Sequence, residues 1–325
     1  MPNLLPLLTV IIGLILLAWS ADRFVYGAAA LARNLGVSPL IIGLTVVGFG
    51  TSAPELFVSA QAALDGATGL ALGNAVGSNI ANTALVLGSA AIITPMTIHS
   101  TILRREYPVM LLVMLVVFAL MWDLQLTRVD GLLLFGGLLV LIGWSITLGL
   151  KERSNTDSLA TEYDQGVSQE VKTMTAVAWI LLGLSVLLLS AHILVWGAVK
   201  LAVWFGLSDT VIGLTIVAIG TSLPEVATTA ASARRGETDI AIGNIIGSNN
   251  FNMLGVIGLA EIIQPAQIDP QLLFRDMTTM LALSLPLALV IVMKKKVARI
   301  ATFQGLILLV CYFVYLVVVV AQALL

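Results

Sequence analysis

Two glutamates in apolar surroundings are the first residues of this sequence that could do chemistry. Glu55 ends the segment GFGTSAPE at 48–55, and Glu225 ends the segment AIGTSLPE at 218–225. In both segments a threonine and a serine precede the glutamate by four and three residues, so hydroxyls and carboxylate share one face of a helix. Carboxylate and hydroxyl oxygens suit Ca²⁺, whereas zinc and copper favour sulfur and imidazole ligands, which neither segment contains. Both segments are therefore candidate calcium sites.

A proline precedes each of these glutamates. Pro54 and Pro224 have no amide hydrogen, and their rings clash with the carbonyls of Gly50 and Gly220, four residues back. We expect each helix to be kinked or unwound there and to release carbonyl oxygens as further ligands. A kink that serves packing alone is the alternative. Irregular backbone at membrane depth is tolerated only where it is buried in protein or lines a cavity.

A second pair of segments, GNAVGSNIAN at 73–82 and GNIIGSNNFN at 243–252, carries amides and hydroxyls at helical spacing. The spacing of four residues predicts a polar stripe on one helical face in each segment, and the paired glycines allow close helix approach. The stripe either forms hydrogen bonds between helices or completes an oxygen cage with the two glutamates. Its members are Asn74, Ser78 and Asn82, and Asn244, Ser248 and Asn252.

The composition indicates that an integral membrane protein positions these residues. The 325 residues are 59% hydrophobic and 10% charged, with a mean hydropathy of +1.04, against roughly 45–50% and about 25% in soluble domains. A helix needs about 20 apolar residues to cross ~30 Å of hydrocarbon. The sequence predicts an all-α protein with ten spans, at 4–33, 38–64, 69–93, 106–122, 130–150, 174–205, 209–233, 239–263, 276–293 and 300–323.

The positive charges predict the orientation. If the spans alternate, one side receives twelve lysines and arginines and the other receives Arg128 and Arg275. Because cytoplasmic loops are rich in basic residues, the first side is expected to be cytoplasmic and both termini outside. The chain is then a multi-pass cell-membrane protein, in the inner membrane if the source is a Gram-negative bacterium. Lys294 to Lys296 are expected to anchor on anionic lipid rather than to bind nucleic acid.

The chain contains an internal repeat at an offset of 170 residues. Residues 43–88 match 213–258 at 22 of 46 positions without a gap. Each half carries five predicted spans, and since five is odd, the second half enters the membrane from the opposite face. Two inverted repeats with interrupted polar helices indicate a secondary transporter whose site lies near the midplane.

The repeat gives the expected domain organisation. The first five-helix repeat covers 1–150, with its ion-binding part at 38–93. A polar cytoplasmic linker at 151–173 follows, and the second repeat covers 174–325, with its ion-binding part at 209–263.

With these motifs the sequence resembles the calcium/cation antiporter superfamily, in its sodium/calcium exchanger branch. The resemblance covers nearly the whole chain and implies a ten-helix inverted-repeat fold that exchanges Ca²⁺ for Na⁺, with no cofactor. The long spans at 4–33 and 174–205 would slide as a pair across the ion-binding core. By resemblance Glu55 and Glu225 are the Ca²⁺ ligands shared with Na⁺, and Asn82 and Asn252 complete the centre. The main-chain carbonyls of Thr51 and Thr221 and the side chains of Ser52, Ser222, Ser78 and Ser248 would supply the remaining ligands.

The identity of the coupled ion stays open at this point. Several members of the family carry an aspartate at the position of Asn82 or Asn252, and here both are amides. Exchange of Ca²⁺ for H⁺ or a dependence on K⁺ is therefore the alternative to Na⁺ coupling. Two carboxylates neutralise one Ca²⁺ or two monovalent cations, and a third monovalent cation would add a positive charge.

Other classes fit the sequence less well. A cation channel would conduct without obligatory exchange, and a channel rarely contains a single inverted pair of motifs. An enzyme is not expected, because neither His99 nor His192 stands near either motif in sequence. A monomer is expected, and the lone cysteine, Cys311, is expected to be a small buried apolar side chain.

Four further polar residues lie in or near the predicted motifs and the first span. Asp22 and Arg23 lie in the first span, where burial against neighbouring helices or proximity to cytoplasmic headgroups is favoured over a gating or proton role. Asn79 and Asn249 follow the motif serines and are expected to brace the helices rather than to bind ions.

Overall fold

The computed structural model describes residues 4–98, 103–154, 171–206, 216, 218–293 and 298–324. The first half of this described chain forms five helices, of which α2 is broken and α3 contains a π-helical segment, Asn82–Val86. Their bounds are Leu4–Leu35 for α1, Pro39–Thr51 and Ala53–Leu64 for α2a and α2b, Thr68–Ile93 for α3, Leu103–Leu120 for α4 and Arg128–Ser154 for α5.

The second half repeats this order within the described residues. The bounds are Thr173–Trp204 for α6, Ala218–Thr221 and Leu223–Arg234 for α7a and α7b, Thr238–Asn250 and Ile257–Ile263 for the two parts of α8, Thr278–Met293 for α9 and Thr302–Leu324 for α10. A π-helical segment, Phe251–Val256, joins the parts of α8, and another, Leu272–Met277, leads into α9. The start of the predicted seventh span and most of the linker, 155–170, lie outside the described residues.

The helix bounds match the predicted spans with small shifts. α4 begins three residues earlier than predicted, α9 is preceded by a helical turn from Leu272, and α5 continues to Ser154, four residues into the predicted linker. By length and apolar composition alone, six described helices could cross a membrane, and the bent pair Pro39–Thr51 with Ala53–Leu64 makes a seventh. The described parts of α7, α8 and α9 are shorter, interrupted or rich in amides.

Two short antiparallel strand pairs show the two-fold relation between the halves. β1 (Met96–Ile98) pairs with β4 (Ala298–Ile300), and β2 (Gln125–Leu126) pairs with β3 (Ala266–Gln267). β1 and β3 are equivalent in the repeat, because 96 plus 170 is 266. Each strand that follows the third helix of one half therefore pairs with the connection between the fourth and fifth helices of the other half.

The long helices α1 and α6 pack against each other with the same symmetry. A Cβ added at Gly183 would lie 2.7 Å from the backbone nitrogen of Phe24, and one added at Gly13 would lie 2.8 Å from the Cβ of Leu194. These two contacts exchange under the 170-residue offset, so both glycines allow the same close approach. α1 and α6 thus form one closely packed pair.

The helices that carry the motifs pack at backbone contact. A Cβ at Gly43 in α2a would lie 2.7 Å from the carbonyl oxygen of Ile240, and one at Gly243 in α8 would lie 2.6 Å from the carbonyl oxygen of Leu40. Only glycine fits at such a distance. This packing brings polar groups of α2 against polar groups of α8 from the opposite repeat.

Candidate ion-binding site

The two motif helices break at equivalent serines. Ser52 (φ −84°, ψ 7°) separates α2a from α2b, and Ser222 (φ −85°, ψ 2°) separates α7a from α7b. A proline in the first turn of the second part cannot supply the amide hydrogen that would continue the helix. The two parts of α2 meet at an angle of 44°. Both helices are therefore interrupted as predicted, but at Ser52 and Ser222, two residues after the expected Gly50 and Gly220.

Each break places a glutamate in the first turn of the following helix. Glu55 and Glu225 are both 1% exposed. The hydroxyl of Ser78 on α3 donates to Glu55 Oε1 at 3.4 Å, and the hydroxyl of Ser52 donates to Glu225 Oε1 at 3.2 Å. The second bond joins the two repeats, so the two motifs meet in space.

Hydroxyls and an amide also join α2a to α8. The hydroxyl of Thr51 donates to Asn244 Oδ1 at 3.0 Å and lies 3.3 Å from the hydroxyl of Ser248. The hydroxyl of Ser248 in turn donates to the carbonyl oxygen of Gly48 at 3.2 Å. Asn244 Nδ2 donates to Thr229 on α7b at 2.9 Å. Part of the predicted polar stripe therefore forms hydrogen bonds between helices.

The equivalent contacts in the first repeat hold α3 against α2b. Asn74 Nδ2 donates to the main-chain carbonyl of Glu55 at 3.2 Å and to the hydroxyl of Ser59 at 3.0 Å. Asn74 and Asn244 therefore position helices in both halves.

Four asparagine side chains form two amide-to-amide hydrogen bonds between α3 and α8. Asn252 Nδ2 donates to Asn79 Oδ1 at 3.0 Å, and Asn82 Nδ2 donates to Asn249 Oδ1 at 3.2 Å. Asn79 Nδ2 donates to the main-chain carbonyl of Asn249 at 3.1 Å, which can only accept. This bond fixes the direction of the Asn79 amide, and the Asn79 oxygen then fixes the direction of Asn252. The bracing predicted for Asn79 and Asn249 is what these contacts provide.

Asn82 and Asn252 lie in the π-helical segments of α3 and α8. Asn82 begins the π-helical segment Asn82–Val86, and Asn252 lies in Phe251–Val256. Such π-turns inside α-helices occur frequently at functional sites.

Four buried oxygens at this junction have no hydrogen-bond partner among the residues that the structure describes. They are Glu55 Oε2, Glu225 Oε2, Asn82 Oδ1 and Asn252 Oδ1, and we refer to them as the oxygen cage. Buried polar atoms are normally hydrogen-bonded, and the exceptions require an explanation. Two charged and two amide oxygens match the hard ligands that Ca²⁺ and Na⁺ take.

The remaining predicted residues occupy less uniform positions. Ser222 is fully buried, but its hydroxyl has no hydrogen-bond partner in the described part of the chain, unlike that of the equivalent Ser52. Thr221 is half-buried, whereas the equivalent Thr51 is fully buried. The ten predicted site residues therefore lie on α2, α3, α7 and α8, with the closest described network around Thr51, Ser52 and Ser248.

Other polar residues lie away from the cage. Asp22 on α1 accepts two hydrogen bonds from Arg235, both at 2.7 Å, and Arg23 lies over the ring of Trp179 on α6 at 5.2 Å. His192 is exposed, and His99 lies outside the described residues. The burial predicted for Cys311 is wrong, because its side chain is exposed on the surface of α10. Thr228 and Ser232 on α7b were not singled out from the sequence. They lie three and seven residues after Glu225, a spacing that places them on the same helical face as the glutamate.

The fold and the site define a class of protein. Ten helices in two inverted halves, with buried acidic and amide groups where broken helices of both halves meet, are the architecture of a secondary active antiporter in the membrane. The model of the family described as "Sodium/calcium exchanger protein" matches residues 5–147 and 175–321. The chain belongs to the sodium/calcium exchanger family, and it is a cation antiporter rather than an enzyme.

Individual relatives cover almost the full length of the chain. A putative antiporter CaxA from Alkalimonas amylolytica is 47% identical over 94% of this chain and 96% of the relative. The inner membrane protein YrbG of Escherichia coli K12 is 46% identical over 86% of both chains. A solved structure of the sodium-calcium exchanger NCX_Mj, soaked with Na⁺ and Sr²⁺, superposes with a TM-score of 0.81 at 31% identity, covering 96% of this chain and 97% of that one.

Proposed function

We propose that this protein exchanges Ca²⁺ for Na⁺ by alternating access at the oxygen cage. In this proposal Glu55 and Glu225 bind Ca²⁺ with Asn82 and Asn252, and both glutamates also bind Na⁺. The main-chain carbonyls of Thr51 and Thr221 add neutral ligands, and Ser52, Ser222, Ser78 and Ser248 line the flanking Na⁺ sites.

The oxygen cage is the observation that carries this proposal. The side-chain nitrogens of Asn82 and Asn252 each donate a hydrogen bond to the other repeat. Both side-chain oxygens are therefore available to bind a cation. A buried carboxylate is costly in a membrane unless it is paired or coordinates an ion. Two such carboxylates with two amide oxygens suit Ca²⁺, which takes six to eight oxygens at ~2.3–2.6 Å.

The charge of the cage supports exchange rather than simple binding. Two carboxylates balance one Ca²⁺ or two Na⁺, so a full complement of one ion repels the other. A site that holds either ion set, but not both, is the minimum requirement for antiport. The solved relative NCX_Mj is named a sodium-calcium exchanger, which favours Na⁺ as the coupled ion.

The proposal includes an orientation in the cell membrane. Both termini face outside and the linker at 151–173 faces the cytoplasm, as the distribution of lysine and arginine predicts. The name of the Escherichia coli relative, an inner membrane protein, agrees with a cell-membrane location.

Flux into inside-out vesicles tests the proposed function. With Na⁺ loaded inside and removed outside, the native protein is expected to take up Ca²⁺, and the uptake should stop when the Na⁺ gradient is abolished. Gradients of H⁺ and K⁺ are imposed one at a time in Na⁺-free medium. Uptake driven by the pH gradient alone would replace Na⁺ with H⁺ as the coupled ion, and Ca²⁺ conductance without any opposing gradient would indicate a channel.

A further inference from the structure

α7b carries a row of buried hydroxyls that the cage does not use. Thr228 and Ser232 are fully buried, and neither hydroxyl has a hydrogen-bond partner in the described residues. Serine and threonine in helices commonly donate to a carbonyl one turn back, as Ser284 does to Met280 at 2.9 Å. Two adjacent exceptions on one helix therefore need an explanation.

The row connects the cage to the end of α7b. Glu225, Thr228, Ser232 and Arg235 are spaced by three, four and three residues, which places them on one face of the helix. At 1.5 Å per residue this face runs about 15 Å from the carboxylate to the arginine. Hydroxyl oxygens thus follow one another from the cage to the surface.

The end of the row is closed by an ion pair to α1. Arg235 donates through Nε and a terminal nitrogen to the two carboxylate oxygens of Asp22, each at 2.7 Å. The guanidinium also lies 5.4 Å from the ring centroid of Tyr26 on α1. Arg33, near the end of α1, contacts Glu237 in the same turn at 3.3 Å. At the end of the row Arg235 contacts α1, whereas Leu223, Ala227 and Ala231, on another face of α7b, pack against the apolar cluster that includes α1.

The equivalent face of α2b is apolar. The positions equivalent to Thr228, Ser232 and Arg235 are Val58, Ala62 and Asp65. Asp65 accepts a hydrogen bond from Gln61 in its own helix at 3.0 Å rather than pairing with the other repeat. The hydroxyl row and its ion pair thus belong to one side of the membrane only.

We propose that Thr228 and Ser232 line the passage by which ions move between the cage and the cytoplasm, and that the Asp22–Arg235 ion pair closes this passage. The inference rests on the proposed exchange function, since it concerns how ions leave that site. Unpartnered hydroxyl oxygens replace part of the water shell of a cation as it moves. When the ion pair separates, the end of the row meets the cytoplasmic solution.

Cysteine accessibility tests this passage independently of the transported ion. The background is Cys311→Ala, which removes the only cysteine of the chain. Single cysteines are introduced at Thr228 and Ser232, and at Val226, which is part-buried against the core on another face of the same helix. A membrane-impermeant cationic thiol reagent is then added on the cytoplasmic side of inside-out vesicles, with and without Asp22→Asn.

The expected result is faster modification at Ser232→Cys than at Val226→Cys. Asp22→Asn and Arg235→Gln should each raise the rate at Ser232→Cys by about fivefold, since breaking an ion pair worth up to about 1 kcal/mol shifts an equilibrium by that factor. Arg234→Gln, at the neighbouring exposed arginine, is the matched control and should leave the rate unchanged.

If thiol modification at Ser232→Cys is no faster than at Val226→Cys in every background, the proposed passage is wrong. An unchanged rate after both Asp22→Asn and Arg235→Gln would overturn the closing role of the ion pair. Ser232→Ala in the native background provides a second measurement, and the proposal expects a several-fold lower turnover with an unchanged apparent affinity for Ca²⁺. If the cysteines are modified as expected but the protein shows no Na⁺-driven Ca²⁺ uptake, the proposed passage stands and the proposed function is wrong.

Discussion

The two halves of the molecule are nearly identical at the cage and different just beyond it. Glu55 and Glu225 occupy equivalent breaks, and the asparagines of both halves exchange equivalent bonds. One turn further on, α2b continues with Val58, whereas α7b continues with Thr228. The symmetry is kept at the proposed ion site and is lost along the helices that lead away from it.

This difference indicates which features the exchange cycle constrains. A shared cation requires matched ligands from both repeats, so a change in one half alters the whole site. In the proposed cycle the site opens to one side at a time, so the two passages can differ in polarity and in how each is closed. Matched substitutions in the two halves therefore measure how far the halves are equivalent.

The largest effect is expected from neutralising either glutamate of the cage. Glu55→Gln and Glu225→Gln should each weaken Ca²⁺ binding by at least about 100-fold, because each removes one of two buried negative charges worth roughly 3 kcal/mol to a bound cation. Equilibrium binding of radioactive Ca²⁺ to the purified variants measures this loss.

Glu261→Gln is the matched control for these variants. Glu261 is equally buried and, like the cage glutamates, has one carboxylate oxygen without a hydrogen-bond partner in the described residues. It differs in position, since it lies near the end of α8, and its Oε2 accepts a hydrogen bond from the backbone of Ala266 in β3, which a glutamine oxygen can also accept. Ca²⁺ binding should be unchanged in this control. Native affinity in one of the two cage variants would show that the halves contribute unequally.

The second effect concerns the close packing of α2 against α8. Gly243→Ala should lower stability by about 1–3 kcal/mol, because the added methyl would overlap the carbonyl oxygen of Leu40. Gly136→Ala is the control, since a Cβ there would meet no described heavy atom within 4 Å. Thermal unfolding in detergent compares the two, and equal melting temperatures would mean that the interface tolerates separation.

A smaller effect distinguishes the two bracing asparagines. Asn79 donates to a main-chain carbonyl at 3.1 Å, whereas Asn249 donates to Thr83 at 3.4 Å and to the sulfur of Met110 at 3.5 Å. Asn79→Ala should therefore weaken Ca²⁺ binding more than Asn249→Ala, about tenfold against a few-fold, because a lost hydrogen bond contributes roughly 1 kcal/mol. Calcium titrations rank the two variants, and the reverse order would contradict the fixed direction of the Asn79 amide.

The sequence was sufficient to predict the repeat, the ten spans and the meeting of the two motifs. The offset of 170 residues and the spacing of Thr51, Ser52 and Glu55 carry that information directly. The fold follows because an odd number of spans in each half inverts the second repeat. The kinks at Ser52 and Ser222 follow from Pro54 and Pro224, since a missing amide hydrogen is visible in the sequence.

The contacts between repeats could not be predicted in the same way. Ser52 reaches Glu225 while Ser222 has no described partner, although the two serines have the same neighbours in sequence. The π-helical turns at Asn82 and Asn252 have no periodic signature of their own. The pairing of Asp22 with Arg235 joins residues 213 positions apart, which only the packing of α1 against α7b brings together.

The smallest expected effect concerns the second ion pair between α1 and the turn after α7b. Arg33 and Glu237 meet through one bond at 3.3 Å, and the arginine side chain is 49% exposed. An exposed pair with a single bond contributes little, because solvent screens the charges and two long side chains must be ordered. The Asp22–Arg235 pair is similarly exposed, but its two bonds at 2.7 Å make it the stronger of the two. Glu237→Gln should therefore change cytoplasmic thiol modification at Ser232→Cys less than twofold, whereas Asp22→Asn changes it by about fivefold. Equal effects of the two variants would show that α1 is held at its whole cytoplasmic end rather than at Asp22.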